Sequence, residues 1–214
     1  LYQSTDCLKW NYVRTLDASH NQYGKMWECP DFFSLDGRQI LLTSPQDMYP
    51  MGLEFHAGNN VLCLLGECDP QSMEFRRQAA QAVDYGLDFY APQTLLSPDG
   101  RRIMIAWMQN WATAGAKPAR CRWFGQMTLP RELFLRDGRL CQRPVRELEA
   151  CHGQRVLHQN IPVCGEVNLP GVQGRVLDLT VTIRPTGCEG CRWFRIHVAR
   201  DDTHDTIIRY KPNE

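Results

Sequence analysis

The sequence predicts an all-β protein, with blades of a β-propeller over residues 1–148 followed over residues 149–214 by an incomplete β-sandwich. Three observations carry this reading. Short apolar runs of strand length alternate with turn residues along the whole chain. A unit made of a proline, an apolar strand, an Asp-Gly turn and a second strand recurs, and all-β units repeating at a length that fits four strands point to propeller blades. After Leu148 the pattern changes to strict polar and apolar alternation, the mark of antiparallel strands with one covered face.

Taken in order, residues 2–4, 10–16 and 26–33 read as strands, and Asp36-Gly37 makes a tight hairpin into a strand over residues 38–44. The segment from Pro30 to Leu42 is echoed from Pro92 to Ile105, a period of 62 to 63 residues, and a partial third echo runs from Pro130 to Leu140. About three blades are therefore expected. Their inner strands line a central channel, which places Pro30 and Pro92 near equivalent inner positions. Residues 61–66 form another strand. Residues 73–82 are pulled two ways: Arg76, Arg77 and three alanines favour helix, whereas a blade needs a strand there. Residues 107–122 read as a long connection, and such loops commonly border sites. Beyond them, residues 177–183, 193–198 and 206–210 alternate as strands, with Asp201-Asp202 as a turn. The second region is shorter than the roughly 100 residues of a full sandwich. The chain also starts at Leu1 inside a strand pattern, so it reads as cut at both ends.

Composition narrows the function classes. Lysine plus arginine balances aspartate plus glutamate at 24 each, with no long block of either sign, so a nucleic-acid partner is not expected. No stretch has the length of a membrane span or the form of a signal peptide, and no membrane partner is expected. Six tryptophans, seven tyrosines and eight phenylalanines are compatible with sugar binding, since flat apolar rings beside carboxylates suit a sugar face and its hydroxyls. The ten cysteines fall mostly singly within apolar runs, which favours reduced thiols and a cytoplasmic setting. Cys188-Glu189-Gly190-Cys191 has zinc-ribbon spacing but no matching second pair, and reads as a hairpin turn. No metal or cofactor is expected.

The chemistry centres on Glu28, a carboxylate between Trp27 and Cys29 in an otherwise apolar run. In a regular strand Met26, Glu28 and Pro30 share one face. Burial there favours the protonated carboxyl that a proton donor needs. A half-buried glutamate paired with one of the arginines is the other reading. Asp84 and Asp88, beside Tyr85, Phe89 and Tyr90, can accept sugar hydroxyls while the rings cover apolar faces; alternatively the first is part of a turn and the second is solvated. Trp107, Trp111 and Trp123 suit a stacking platform or blade cores equally. Asp31 either supports Glu28 or caps the strand, and Arg131 with Glu132 reads as a structural pair.

Four motifs in order carry a resemblance. Trp27-Glu28-Cys29-Pro30-Asp31, then Asp84-Tyr85-Gly86-Leu87-Asp88-Phe89-Tyr90-Ala91-Pro92-Gln93, then Trp107-Met108, then residues 123–133 from Trp123-Phe124-Gly125 to Pro130-Arg131-Glu132-Leu133 resemble glycoside hydrolase family 32, the β-fructofuranosidases. The resemblance covers nearly residues 1–148. It implies a five-bladed propeller followed by a β-sandwich. It also implies that Glu28 is the general acid/base of a retaining double displacement, protonating the leaving glycosidic oxygen and then deprotonating water. Asp84, Asp88, Tyr90 and Trp107 would lie at the substrate, with Trp27, Cys29 and Asp31 in support. The implied substrate is sucrose, sucrose-6-phosphate or a fructan. Two of the family's motifs have no counterpart here: the Trp-Met-Asn-Asp-Pro-Asn-Gly type, which supplies the nucleophile, and Arg-Asp-Pro, which supplies a further aspartate. Both are expected before Leu1, so the chain is expected to be inactive alone. The competing expectation is a non-catalytic remnant that binds a fructoside or a partner.

Overall fold

The computed structural model describes residues 1–185 and 193–211. Its strands are β1 (Tyr2–Gln3), β2 (Asn11–Tyr12), β3 (Met26–Leu35), β4 (Arg38–Gln46), β5 (Leu62–Cys68), β6 (Phe75–Ala82), β7 (Tyr90–Leu96), β8 (Arg102–Trp107), β9 (Arg131–Arg136), β10 (Arg139–Pro144), β11 (Phe194–Val198) and β12 (Thr206–Tyr210), with a 3-10 helix at Arg146–Cys151. The chain divides into two compact units, Leu1–Arg146 and Glu147–Glu214.

The first unit holds two four-stranded antiparallel meanders, β3-β4-β5-β6 and β7-β8-β9-β10, and the small ribbon β1-β2. The meanders face each other across a core. Phe33, Ile40, Leu42, Cys63 and Leu65 come from the first, and Phe89, Met104, Ala106, Leu133 and Leu140 come from the second or the approach to it. The first sheet has a core on its other face too, where Leu41, Leu62, Leu64 and Phe75 pack with Met48, Phe55, Leu16 and Tyr23. That double cover is why β4 and β5 read as continuous apolar runs rather than alternating ones. Stacked four-stranded sheets of this kind make the fold all-β and propeller-like.

The repeat maps onto the sheets with one surprise. Asp36-Gly37 and Asp137-Gly138 close two-residue hairpins with both residues at positive φ, at 48° and 78° and at 52° and 73°. This is the primed-turn geometry that Asp-Gly favours. The echo from Pro130 to Leu140, however, opens no new sheet: β9 and β10 complete the sheet that β7 and β8 begin. The pattern recurs because any blade contains two hairpins, and sequence spacing alone does not say which hairpin is met. Residues 75–82 resolve as strand β6. Their pairing with β5 and the burial of Phe75, Gln81 and Ala82 outweigh local helix propensity. The run expected over residues 10–16 narrows to Asn11–Tyr12, which among the described residues pairs with β1 alone.

In the second unit β11 and β12 form an antiparallel hairpin. Its turn is fastened by Asp201, whose Oδ1 accepts the backbone N–H groups of Thr203 and His204 at 2.7 and 2.8 Å. Residues 177–183 are not paired as a strand, although Val181 and Ile183 line a depression with Phe194, Ile196 and Tyr210. Their alternation serves an apolar side-chain face without a backbone ladder. Among the described residues this unit has none fully buried. The turn expected at Cys188-Glu189-Gly190-Cys191 lies outside the described residues. The eight described cysteines are free thiols, and no described helix is long and apolar enough to cross a membrane.

Candidate active site

The site begins with a backbone device used twice. In β3 the pairing with β4 slips between Glu28 and Asp31, and in β7 the pairing with β8 slips between Tyr90 and Gln93. At each bulge the residue before a proline has a positive φ, 49° at Cys29 and 50° at Ala91. A residue in that position ordinarily stays extended, and a left-handed non-glycine residue costs roughly 1–3 kcal/mol. The bulges abolish the regular alternation, so Glu28 does not share a simple face with Met26 and Pro30. They also place Glu28 and Tyr90 at equivalent points of neighbouring sheets, where the Tyr90 hydroxyl donates to Glu28 Oε2 at 2.9 Å.

Cross-links hold β3 and β7 together. Asp31 Oδ2 accepts the Thr94 backbone N–H at 2.8 Å and the Thr94 hydroxyl at 2.7 Å. Gln93 Nε2 donates to the Cys29 carbonyl at 3.3 Å, and the Ala91 N–H donates to Ser44 Oγ at 3.1 Å. Asp31 therefore joins two strands and does not touch Glu28.

Glu28 is half-buried, and three neutral donors converge on its Oε2: Gln46 Nε2 at 2.8 Å, the Tyr90 hydroxyl at 2.9 Å and Trp111 Nε1 at 3.4 Å. Oε1 accepts no hydrogen bond among the described residues. No arginine pairs with Glu28 among the described residues; the bulge turns the side chain toward polar groups of β4, β7 and the loop after β8. Tyr90, 1% exposed, has one proton and two acceptors, since the Ser44 carbonyl lies 3.1 Å from its hydroxyl. Burial pushes this phenol well above its ordinary range; accepting groups and charge at Glu28 act in the same direction, and Gln46 opposes them. Desolvation and then the Glu28 charge also raise the Cys29 thiol, which keeps it protonated at neutral pH.

A tryptophan pair reaches the carboxylate through Trp111. Trp107 stands opposite Tyr90 in the β7-β8 register and packs edge-on against Trp111, with ring centroids 5.3 Å apart. Gly125 lies against this pair: a Cβ there would come within 2.6 Å of Gln109 Oε1 and 3.4 Å of Trp107 Nε1, and its φ of 100° disfavours other residues. Trp123 is 70% exposed and joins no ring pair among the described residues. Trp27 packs under β3 in the second core, its Nε1 donating to the Tyr23 carbonyl at 2.7 Å.

The two candidate aspartates are engaged elsewhere. Asp84 Oδ2 accepts from Arg131 Nη1 at 2.6 Å and its Oδ1 accepts the Gly86 N–H at 2.8 Å. Arg131 thus pairs with Asp84, while Glu132 takes Arg143 at 2.8 Å, so the pair expected between Arg131 and Glu132 is absent. As successive residues of strand β9 they project to opposite faces and point apart. Asp84 also borders a cleft of about 400 Å³ with Tyr85, Arg139 and Gln142, which does not include Glu28. Asp88 Oδ1 accepts the Thr113 hydroxyl at 2.6 Å, tying it to the loop that carries Trp111. Sequence reasoning missed Gln46 and Ser44. Counting outward from the Asp36-Gly37 turn would have put both across from the Glu28 end of β3.

The sequence pattern of the glycosyl hydrolases family 32 N-terminal domain matches residues 1–144. The chain belongs to this family. Among its family 32 relatives, the raffinose invertase of Escherichia coli is 42% identical over 174 residues, which cover 81% of this chain and 35% of that protein. The sucrose-6-phosphate hydrolase of Staphylococcus xylosus is 36% identical over 217 residues, covering all of this chain and 42% of the relative. The chain therefore spans about a third to two fifths of the length of these relatives. The solved family 32 β-fructofuranosidase BmSUC1 of Bombyx mori superposes with a TM-score of 0.65 at 34% identity, over 73% of this chain and 33% of that one. A variant of that enzyme in complex with sucrose gives a TM-score of 0.66 over the same shares.

Proposed function

We propose that this chain is the acid/base-bearing part of a retaining β-fructofuranosidase acting on sucrose or sucrose-6-phosphate, with Glu28 as the general acid/base. The observation that carries the reading is the carboxylate itself: one oxygen is held by three donors and the other is unengaged, so Oε1 is the atom available to give a proton to a glycosidic oxygen and later to take one from water. Trp107 and Trp111 offer apolar ring faces beside it, Tyr90 orients it, and Asp88 reaches the same loop through Thr113. Asp84, held by Arg131, has a structural part in this proposal and reaches sugar only through that ion pair.

A retaining mechanism needs a second carboxylate roughly 5 Å from the first. None of the partners of Glu28 is a carboxylate, which supports the proposal that the 214-residue chain does not hydrolyse sucrose by itself. The proposed division of the family's architecture is later propeller blades over residues 1–148 and the start of a sandwich over residues 149–214, and the free thiols are compatible with a cytoplasmic setting.

The test is a chimera in which the aligned 174-residue stretch of this chain replaces its counterpart in the E. coli raffinose invertase. Hydrolysis of sucrose that disappears with Glu28→Gln is the expected result, with a loss of at least about 1,000-fold. A chimera that is folded and binds sucrose, yet is inactive with Glu28 intact, overturns the acid/base assignment in favour of a fructoside-binding remnant.

A further inference from the structure

We infer that Gln46 is a positioning residue for the acid/base: its side-chain amide holds Oε2 of Glu28 through both protonation states, so that the proton is carried and given by Oε1. The inference rests on the reading of Glu28 as acid/base, and adds the group that keeps its geometry while its charge changes.

The last four residues of β4 form a brace around Glu28. Thr43 Oγ1 donates to the Glu28 carbonyl at 3.1 Å, and Gln46 Nε2 donates to Glu28 Oε2 at 2.8 Å. Between them, the Ser44 carbonyl accepts the Tyr90 hydroxyl and Ser44 Oγ accepts the Ala91 N–H, each at 3.1 Å. One short stretch thus holds the backbone and the side chain of Glu28 and both Tyr90 and Ala91. Thr43 and Ser44 are buried. The root of the Gln46 side chain is fixed in turn. Its carbonyl accepts the Lys25 N–H at 2.9 Å, and the Pro45 carbonyl accepts the Asn60 N–H at 3.1 Å. Gly24, at a φ of 76°, passes so close that a Cβ there would collide with the Gln46 carbonyl.

The three donors on Oε2 respond differently to a change of charge. The Tyr90 hydroxyl has a single proton and the Ser44 carbonyl as a second acceptor. Donation to Oε2 is charge-assisted while Glu28 is ionised and loses that advantage once Oε1 is protonated, so the phenol then has an acceptor of comparable strength to turn to. Trp111 makes the longest of the three bonds, at 3.4 Å. The amide is the constant partner. An ionised carboxylate only accepts, so the nitrogen end of Gln46 faces it, and the two protons of that nitrogen serve Oε2 and the Tyr90 oxygen together. The titratable groups against Glu28 are the Tyr90 phenol from β7 and the adjacent Cys29 thiol, both raised above their ordinary ranges, while Gln46 and Trp111 carry no charge. Around neutral pH the charge that changes at this point is therefore that of Glu28.

The experiment uses the invertase chimera and its Gln46→Met variant, which keeps the length of the side chain without its donors. kcat/KM, which reports the bond-breaking step, is followed against pH for sucrose and for an aryl β-fructofuranoside whose leaving phenolate needs no proton. On sucrose kcat/KM is expected to fall about tenfold or more, and the basic limb of its pH profile to move up by about half to one pH unit, because the lost donor favoured the ionised carboxyl. On the aryl substrate the loss is expected to shrink to about twofold. A loss equal on both substrates with the basic limb unmoved makes Gln46 structural support only and overturns the inference. An unchanged rate on sucrose also overturns it. If Gln46→Met does not fold, Gln46→Asn, which keeps the amide but withdraws it by one methylene, is read by the same two criteria. Either failure at Gln46 leaves the acid/base reading standing. A folded chimera that is inactive, or whose activity survives Glu28→Gln, removes that reading and this inference with it.

Discussion

Glu28-Cys29-Pro30 and Tyr90-Ala91-Pro92 are the same backbone piece set into two sheets, and they do different work. Each is a bulge at the start of a sheet's first strand, with a left-handed residue held before a proline. One presents a carboxylate and the other a phenol, and the two side chains meet at 2.9 Å. The contrast teaches that the bulge is a presenting device whose chemistry is set by a single residue type. Placed twice in a repeat, it brings the two products together. A second contrast lies on the sheet faces. Ile40 and Leu42 in the first sheet are fully buried against the second, whereas their repeat equivalents Ile103 and Ile105 are partly exposed, Ile105 by 38%.

The largest expected effect tests the sheet faces. Leu42→Ala should cost about 3 kcal/mol in urea denaturation of the chain, and Ile105→Ala less than about 1 kcal/mol, because only the first opens a cavity in a packed core. Equal losses would mean that the second face is covered in solution. Next is the link between the bulged strands. Asp31→Ala removes the acceptor for both the Thr94 N–H and its hydroxyl, and should cost about 2 kcal/mol.

Tyr90→Phe should cost about 1 kcal/mol, since the hydroxyl satisfies only one of its two acceptors at a time. The same variant tests pH dependence. The folded-state pKa of Tyr90 is raised above the ordinary value of 10.0, so the unfolded chain loses this proton first as pH increases. The stability contributed by the protonated phenol is complete below pH 10 and falls as pH rises above it. Thermal unfolding of the native chain should therefore drop more steeply above pH 10 than that of Tyr90→Phe; parallel curves would contradict the raised pKa. The smallest effect concerns the bulges. Cys29→Gly and Ala91→Gly should each stabilise by about 0.5 kcal/mol, the relief of the left-handed conformation exceeding the entropic cost of glycine. A gain at only one position would show that the two bulges are not equally strained.

Much of this was legible from residue patterns. Strand runs, Asp-Gly turns and a 62 to 63-residue spacing gave the sheets, and the Trp27-Glu28-Cys29-Pro30-Asp31 motif singled out Glu28. The misreadings share a physical cause. The third echo suggests a new blade because a hairpin looks alike wherever it sits in a sheet, whereas β9 and β10 complete the sheet of β7 and β8. Residues 177–183 alternate as a strand would, but alternation records a covered face and not a backbone partner. A period of two through Cys29 and Pro30 puts Glu28 on one face with Met26 and Pro30, and the bulge breaks that period.

The sequence by itself determined where the turns lie, which runs are extended and which carboxylate is chemically distinctive, because these depend on local conformational preference and on the order of polar and apolar residues. Only the tertiary structure decided that Glu28 meets Gln46, Tyr90 and Trp111, that Asp84 is held by Arg131, and that β9 and β10 finish an existing sheet. Those contacts join residues far apart in the chain through two bulges and the stacking of two sheets, and a left-handed residue before proline is a conformation that local preference disfavours and only the packed structure can hold.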